Sequence, residues 1–153
     1  MAMRVLMTGH QGYVGSGLTP LAVEAGYGVT GLDTGYFADC TLVPDVVEVP
    51  VIRKDIRHLV PHDLEGFDAV VHLAALSNDP IGNLNPAWTE TINFQASVRL
   101  AELAKAAGVA RFLLSSSCIM YGMSEAGWGT EESPLDPKTD YARSKLKSER
   151  AIA

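Results

Sequence analysis

The stretch MRVLMTGHQGYVGSGLTPLAVEAG, Met3 to Gly26, decides how this chain is read. An apolar run ends at Thr8, glycines follow at Gly9, Gly12 and Gly15, and helix-compatible sequence begins at once. Glycine inside an element costs about 0.5–1 kcal/mol relative to alanine, so three at a fixed period mark a place where side chains would be in the way. A strand that ends in G-x-x-G-x-x-G and opens a helix can hold a pyrophosphate. The first glycine permits the tight turn, the second lets the backbone approach the phosphates, and the third lets the helix pack on the sheet. The unpaired N–H groups and positive dipole end of that helix would face the anion. A purely structural glycine turn is the competing reading.

Working outward, five short runs rich in Val, Ile, Leu or Phe and bounded by Gly, Pro or Asp read as strands: Met3–Thr8, Gly28–Asp33, Val46–Ile52, Ala69–Ala74 and Arg111–Ser116. The near-continuous apolar character of DAVVHLAAL and RFLLSSS suits strands covered on both faces. Helices are expected at Gly12–Ala25, around Ile56–Leu64, over Pro86–Ala107 with Trp88, Ile92, Leu100, Leu103 and Ala104 near helical spacing, and from Lys138 onward. Alternation of this kind implies an α/β fold, a doubly wound parallel sheet of Rossmann type, occupying residues 1–153 as one dinucleotide-binding domain. Because YARSKLKSERAIA is still helical at Ala153, the sheet is expected to be truncated before its final strands.

Composition narrows the partners. The chain has 153 residues, 47% of them hydrophobic, enough to bury a core. A net charge of −6 with no Lys/Arg cluster argues against nucleic acid and anionic membrane surfaces. Two cysteines, Cys40 and Cys118, form no disulfide framework, and the four histidines show no metal-ligand spacing. No apolar run approaches the roughly 18 residues of a membrane span, and a reducing cytoplasm is the expected compartment.

Two further features raise the odds of a nucleotide site. Asp33 ends the second strand about 20 residues past the glycine turn, where a carboxylate meets ribose hydroxyls and repels a 2′-phosphate. NAD is therefore expected rather than NADP. Near the C-terminus, Tyr141 and Lys145 stand four apart in YARSK, on one face of a helix, so the ammonium can favour phenolate. Such a neighbour has chemical purpose, because an unassisted tyrosine titrates near 10, too high for a base at neutral pH.

With TGHQGYVG, Asp33, KDIR, HLAA, Asn93, SSSCIMYG and YARSK in register, the chain resembles the N-terminal half of an extended short-chain dehydrogenase/reductase of the NAD-dependent epimerase/dehydratase family, which acts on nucleotide sugars. The resemblance implies that Gly9, Gly12 and Gly15 cradle the pyrophosphate, with Gln11, Tyr13 and Val14 lending backbone. It implies that Asp33 takes the adenosine ribose, that Asp55 and Ile56 border the adenine, and that Leu73, Ala74 and Ala75, with Ser115 in the last strand, line the cofactor. Tyr141 becomes the general acid/base, Lys145 binds the nicotinamide ribose and tunes Tyr141, and Ser117, four before Tyr121, bonds the reacting hydroxyl. Asn93 is implied to be a helix-bending structural residue.

Family dehydratases carry Thr-Asp-Glu where this chain has Ser117, Cys118 and Ile119, so epimerisation of a nucleotide sugar through a keto intermediate is the simplest implied reaction. A dehydrogenase or reductase acting on another hydroxyl, and a noncatalytic dinucleotide-binding module, are the alternatives. Cys118 is expected as a buried small hydrophobe. The loop Ser77–Pro86 divides evenly between ligand contact and turn formation. The segment Met123–Asp140 reads as a mobile loop over the site, and a homodimer through the long helix and the Tyr141 helix is permitted.

Overall fold

The computed structural model describes residues 2–38, 40, 47–77, 79–122 and 128–153, apart from the side chains of Asp79, Ile81 and Asn83. The chain forms two compact units. The first comprises Met1–Ala74 and Arg99–Ser115, the second Ala75–Val98 and Ser116–Ala153.

The first unit holds a five-stranded parallel sheet in the order β3-β2-β1-β4-β5. Its strands are β1 (Arg4–Thr8), β2 (Gly28–Asp33), β3 (Val51–Arg53), β4 (Ala69–His72) and β5 (Arg111–Leu114). Val5 pairs with Val29 on one side and Ala69 on the other, so β1 is central and its residues from Val5 to Thr8 are buried. Strand order reverses between β1 and β4, and in open α/β sheets ligands bind at the carboxyl ends beside such a reversal. The helix α1 (Tyr13–Glu24) starts directly after the glycine turn that follows β1.

The expected strand at Val46–Ile52 is displaced. Pairing with β2 begins only at Val51, opposite Gly31, and Pro50 contributes its carbonyl to the Gly31 N–H (2.8 Å) but has no N–H of its own to extend the ladder. Residues 47–50 are not strand, and Val46 lies outside the described residues. The expected helix around Ile56–Leu64 is two 3₁₀ turns, Ile56–His58 and Pro61–Leu64. Pro61 forces the break, because the residue before a proline is held extended, as Val60 is.

The second unit contains α2 (Asp79–Leu84), α3 (Pro86–Thr89), a π-helical turn over Glu90–Gln95, the start of α4 (Ala96–Ala106), a 3₁₀ turn at Cys118–Tyr121 and α5 (Asp140–Ile152). The single helix expected over Pro86–Ala107 is therefore interrupted by a wider turn, and the spacing read from Trp88 onward drifts off its face: Trp88 is half exposed. Within the stretch expected as a loop, Ser77–Pro86, the chain forms α2. Helix α5 begins with Thr139 as its cap, whose hydroxyl accepts the Ala142 N–H at 3.1 Å.

Candidate functional site

The first unit carries the glycine turn. Gly9 has φ +73°, and a Cβ there would lie 2.7 Å from the Ala74 nitrogen, so both conformation and the passing β4 exit demand glycine. A Cβ on Gly15 would lie 2.3 Å from the Gly9 carbonyl oxygen and 2.5 Å from the His10 Cα, which seats α1 against its own loop. Gly12 is the extended N-cap of α1, donating to the Gly9 carbonyl (3.0 Å). No side chain caps this helix and no acidic residue stands in its first turn. Its leading N–H groups are thus suited to an anion. Tyr13 and Val14, expected to lend backbone here, have exposed side chains.

Asp33 is oriented by main chain. Its Oδ2 accepts the Gln11 N–H (3.1 Å) and its Oδ1 the Gly35 N–H (2.9 Å). A neighbour that the sequence reading passed over, His10, puts Nδ1 4.0 Å from the same Oδ2. The His10 side chain is 7% exposed, and burial lowers its pKa against the opposing pull of Asp33. Its Nδ1 and the Gln11 Oε1 are buried without a hydrogen-bond partner. Gly31 makes room for the imidazole, since a Cβ on Gly31 would lie 2.4 Å from its atoms. The signal was available in the position of His10 between two motif glycines.

Asp55 caps the Ile56–His58 turn through the Arg57 N–H (2.8 Å) and takes a two-pronged ion pair from Arg57 (Nη2 to Oδ2, 2.7 Å; Nε to Oδ1, 3.0 Å). The guanidinium hydrogen bonds hold its carboxyl below the usual range. Ile56 is buried, while Leu73 and Ala74 are half-buried. Beyond β5, Ser115 donates its N–H to the His72 carbonyl (3.1 Å) and is exposed.

The second unit carries Ala75, Ser117, Tyr141 and Lys145. Ser117 caps the Cys118–Tyr121 turn, its Oγ accepting the Ile119 N–H at 3.4 Å, and the adjacent Ser116 hydroxyl is buried without a partner. Cys118, expected buried, is exposed, because it opens that turn rather than packing beneath it. On α5, Tyr141 is half-buried and Lys145 is 3% exposed, with Nζ 5.7 Å from the phenol ring centroid. Burial pushes the Lys145 pKa down to about 8, with Glu149 pulling the other way. A cation kept in so dry a place can stabilise a neighbouring phenolate more than an exposed one.

The family model for the NAD dependent epimerase/dehydratase family matches residues 5–153. This chain belongs to that family. Among similar proteins of the family, the UDP-glucose 4-epimerase of Corynebacterium glutamicum is 31% identical over 154 residues, covering 98% of this chain and 46% of the epimerase. The dTDP-glucose 4,6-dehydratase DesIV of Streptomyces venezuelae, solved with NAD bound, superposes with a TM-score of 0.86 at 31% identity, covering 97% of this chain and 50% of DesIV. MoeE5, solved with UDP-glucose and NAD, gives 0.84 at 30% identity over 97% of this chain and 48% of its own. The chain spans about half the length of the epimerase/dehydratase family members it matches. Among the described residues, no helix is long and apolar enough to cross a membrane.

Proposed function

We propose that this chain is the cofactor-binding and proton-transfer part of an NAD-dependent nucleotide-sugar epimerase. The observation that carries the reading is Lys145, a lysine buried to 3% exposure beside Tyr141 at helical spacing, since an ammonium is rarely placed there without a chemical task. The glycine turn fits a dinucleotide: its cradle would be filled by a Cβ at Gly9 or Gly15, and the uncapped α1 offers N–H groups to an anion. Gly9, Gly12 and Gly15, with Gln11, Tyr13 and Val14, would hold the pyrophosphate, and Asp33 the adenosine ribose. Asp55 and Ile56 would border the adenine, and Leu73, Ala74, Ala75 and Ser115 would line the remainder. When bound, NAD supplies the hydride acceptor and donor.

The residues of the chain then handle the proton. Tyr141 Oη takes it from a sugar hydroxyl and later returns it, Lys145 stabilises the phenolate, and Ser117 Oγ donates to the oxygen on which charge develops. Epimerisation is favoured over dehydration because Cys118 and Ile119 follow Ser117, and Ile119 has no acid/base function with which to expel water. Similarity to UDP-glucose 4-epimerases supports a uridine diphosphate hexose as substrate.

Small molecules released by denaturing the purified chain, read by mass spectrometry, are expected to include NAD. A chain that is empty and takes up no added NAD overturns the cofactor reading. In the protein that carries this chain, Tyr141→Phe is expected to lower epimerisation of UDP-glucose by about 100-fold or more, with NAD affinity retained. Retained turnover would remove Tyr141 from the chemistry.

A further inference from the structure

Tyr141, Lys145 and Ser148 lie at i, i+4 and i+7 along α5 and share its buried face. Ser148 is fully buried, at 0% exposure. Its hydroxyl lies 2.9 Å from the carbonyl of Ser144 one turn back, a local bond that by itself would satisfy the proton, and 2.9 Å from the carbonyl of Asn93 in the π-turn. The Asn93 carbonyl also accepts the Ser97 hydroxyl at 2.7 Å, so two serine hydroxyls converge on it.

The residue before Ser148 reaches the same turn. Lys147 Nζ bonds both carboxylate oxygens of Glu90 (3.1 and 2.9 Å) and lies 5.4 Å from the Phe94 ring centroid. Glu90, Asn93 and Phe94 all belong to the π-turn, and Asn93 is itself fixed by a pair of side-chain bonds to the Leu76 main chain, Nδ2 to O at 2.9 Å and Leu76 N–H to Oδ1 at 2.8 Å. A hydroxyl at a wholly buried helical position costs desolvation that an alanine would avoid. What the hydroxyl adds is direction, because a hydrogen bond between α5 and the π-turn favours one setting of the helix along and around its axis.

We propose that Ser148 is a positioning residue: through its hydrogen bond to the Asn93 carbonyl it fixes the axial and rotational setting in which α5 presents Tyr141 and Lys145. The proposal rests on the roles given above to Tyr141 and Lys145. Ser97 supplies the internal control, since it bonds the same carbonyl but does not sit on α5.

The test compares Ser148→Ala, Ser148→Thr and Ser97→Ala in this chain by three readouts: melting temperature, NMR titration of the Lys145 side chain, and affinity for NAD. Ser148→Ala is expected to move the Lys145 titration midpoint by about half a pH unit or more and to weaken NAD binding about threefold or more. Ser97→Ala is expected to lower the melting temperature with both other readouts at the parental values, and Ser148→Thr, which keeps the hydroxyl, to restore them. If Ser148→Ala lowers the melting temperature as Ser97→Ala does and leaves midpoint and affinity unchanged, the hydroxyl only stabilises and the proposal falls. Failure of the parent chain to bind NAD would count against the cofactor reading instead, while the Lys145 titration would still decide the role of Ser148.

Discussion

Lys145 keeps its charge where almost no water reaches it, and that placement has a thermodynamic signature. Burial lowers the pKa of the ammonium from the ordinary lysine value of 10.5 to about 8. A shift of that size corresponds to a destabilisation on the order of 3 kcal/mol at neutral pH. Between about pH 8 and 10.5 the unfolded chain holds this proton and the folded chain does not, so folding stability rises with pH across that window; below it both states are protonated and the slope vanishes. Urea unfolding at pH 7.5 and pH 10 is expected to show the rise in the parent chain and its absence in Lys145→Met, which should also be the more stable protein at pH 7.5. Equal pH slopes in the two proteins would mean that Lys145 titrates as an exposed lysine. Other charges show the opposite arrangement: Asp55 lies below the carboxylate range because Arg57 grips it, and contributes stability that is lost as pH falls through its folded pKa.

Among the elements, the strands were the most legible and the π-turn the least, and the reasons are physical. β1 and β4 announce themselves because a parallel strand covered on both faces has to be apolar nearly throughout. β3 starts later than its apolar run because that run extends N-terminal to the point where β2 can pair with it, and Pro50 has no N–H with which to extend the ladder. Pro61 gave similar notice of the break between the two 3₁₀ turns. No proline or glycine marks Glu90–Gln95; the resemblance alone implied a helix-bending residue there, Asn93, and the turn is built from Asn93 bonding to Leu76 and Ser148 bonding to Asn93, contacts that local propensity does not encode. Asn93→Ala would strip both side-chain bonds from the Leu76 main chain. A cost of about 2–3 kcal/mol is expected in chemical unfolding, with helix content by circular dichroism nearly unchanged. A loss below about 0.5 kcal/mol would show that the clamp is replaced by water without penalty.

At the scale of the molecule, the glycine turn and the YARSK helix were readable from spacing, because each has a chemistry that restricts residue type: no Cβ at Gly9 or Gly15, and a phenol and an ammonium on one helical face. Less legible were the partners those residues find in space. The exposure of Cys118 depends on the turn that Ser117 opens, and the proximity of His10 to Asp33 depends on β1 and β2 being neighbours in the sheet. The space under the imidazole follows from the same neighbourhood, as Gly31 on β2 lies where any side chain would strike the ring. Gly31→Ala is therefore expected to destabilise by about 1–3 kcal/mol, and His10→Ala to recover most of that loss when combined with it. Additive losses in the four-member cycle would show that the ring has room to move. Substitutions at these two positions are then order-dependent: a lineage starting from this sequence must shed the ring before it can gain a side chain on the strand. That epistasis makes one sequence history passable and its reverse a trap, although positions 10 and 31 are far apart in the chain.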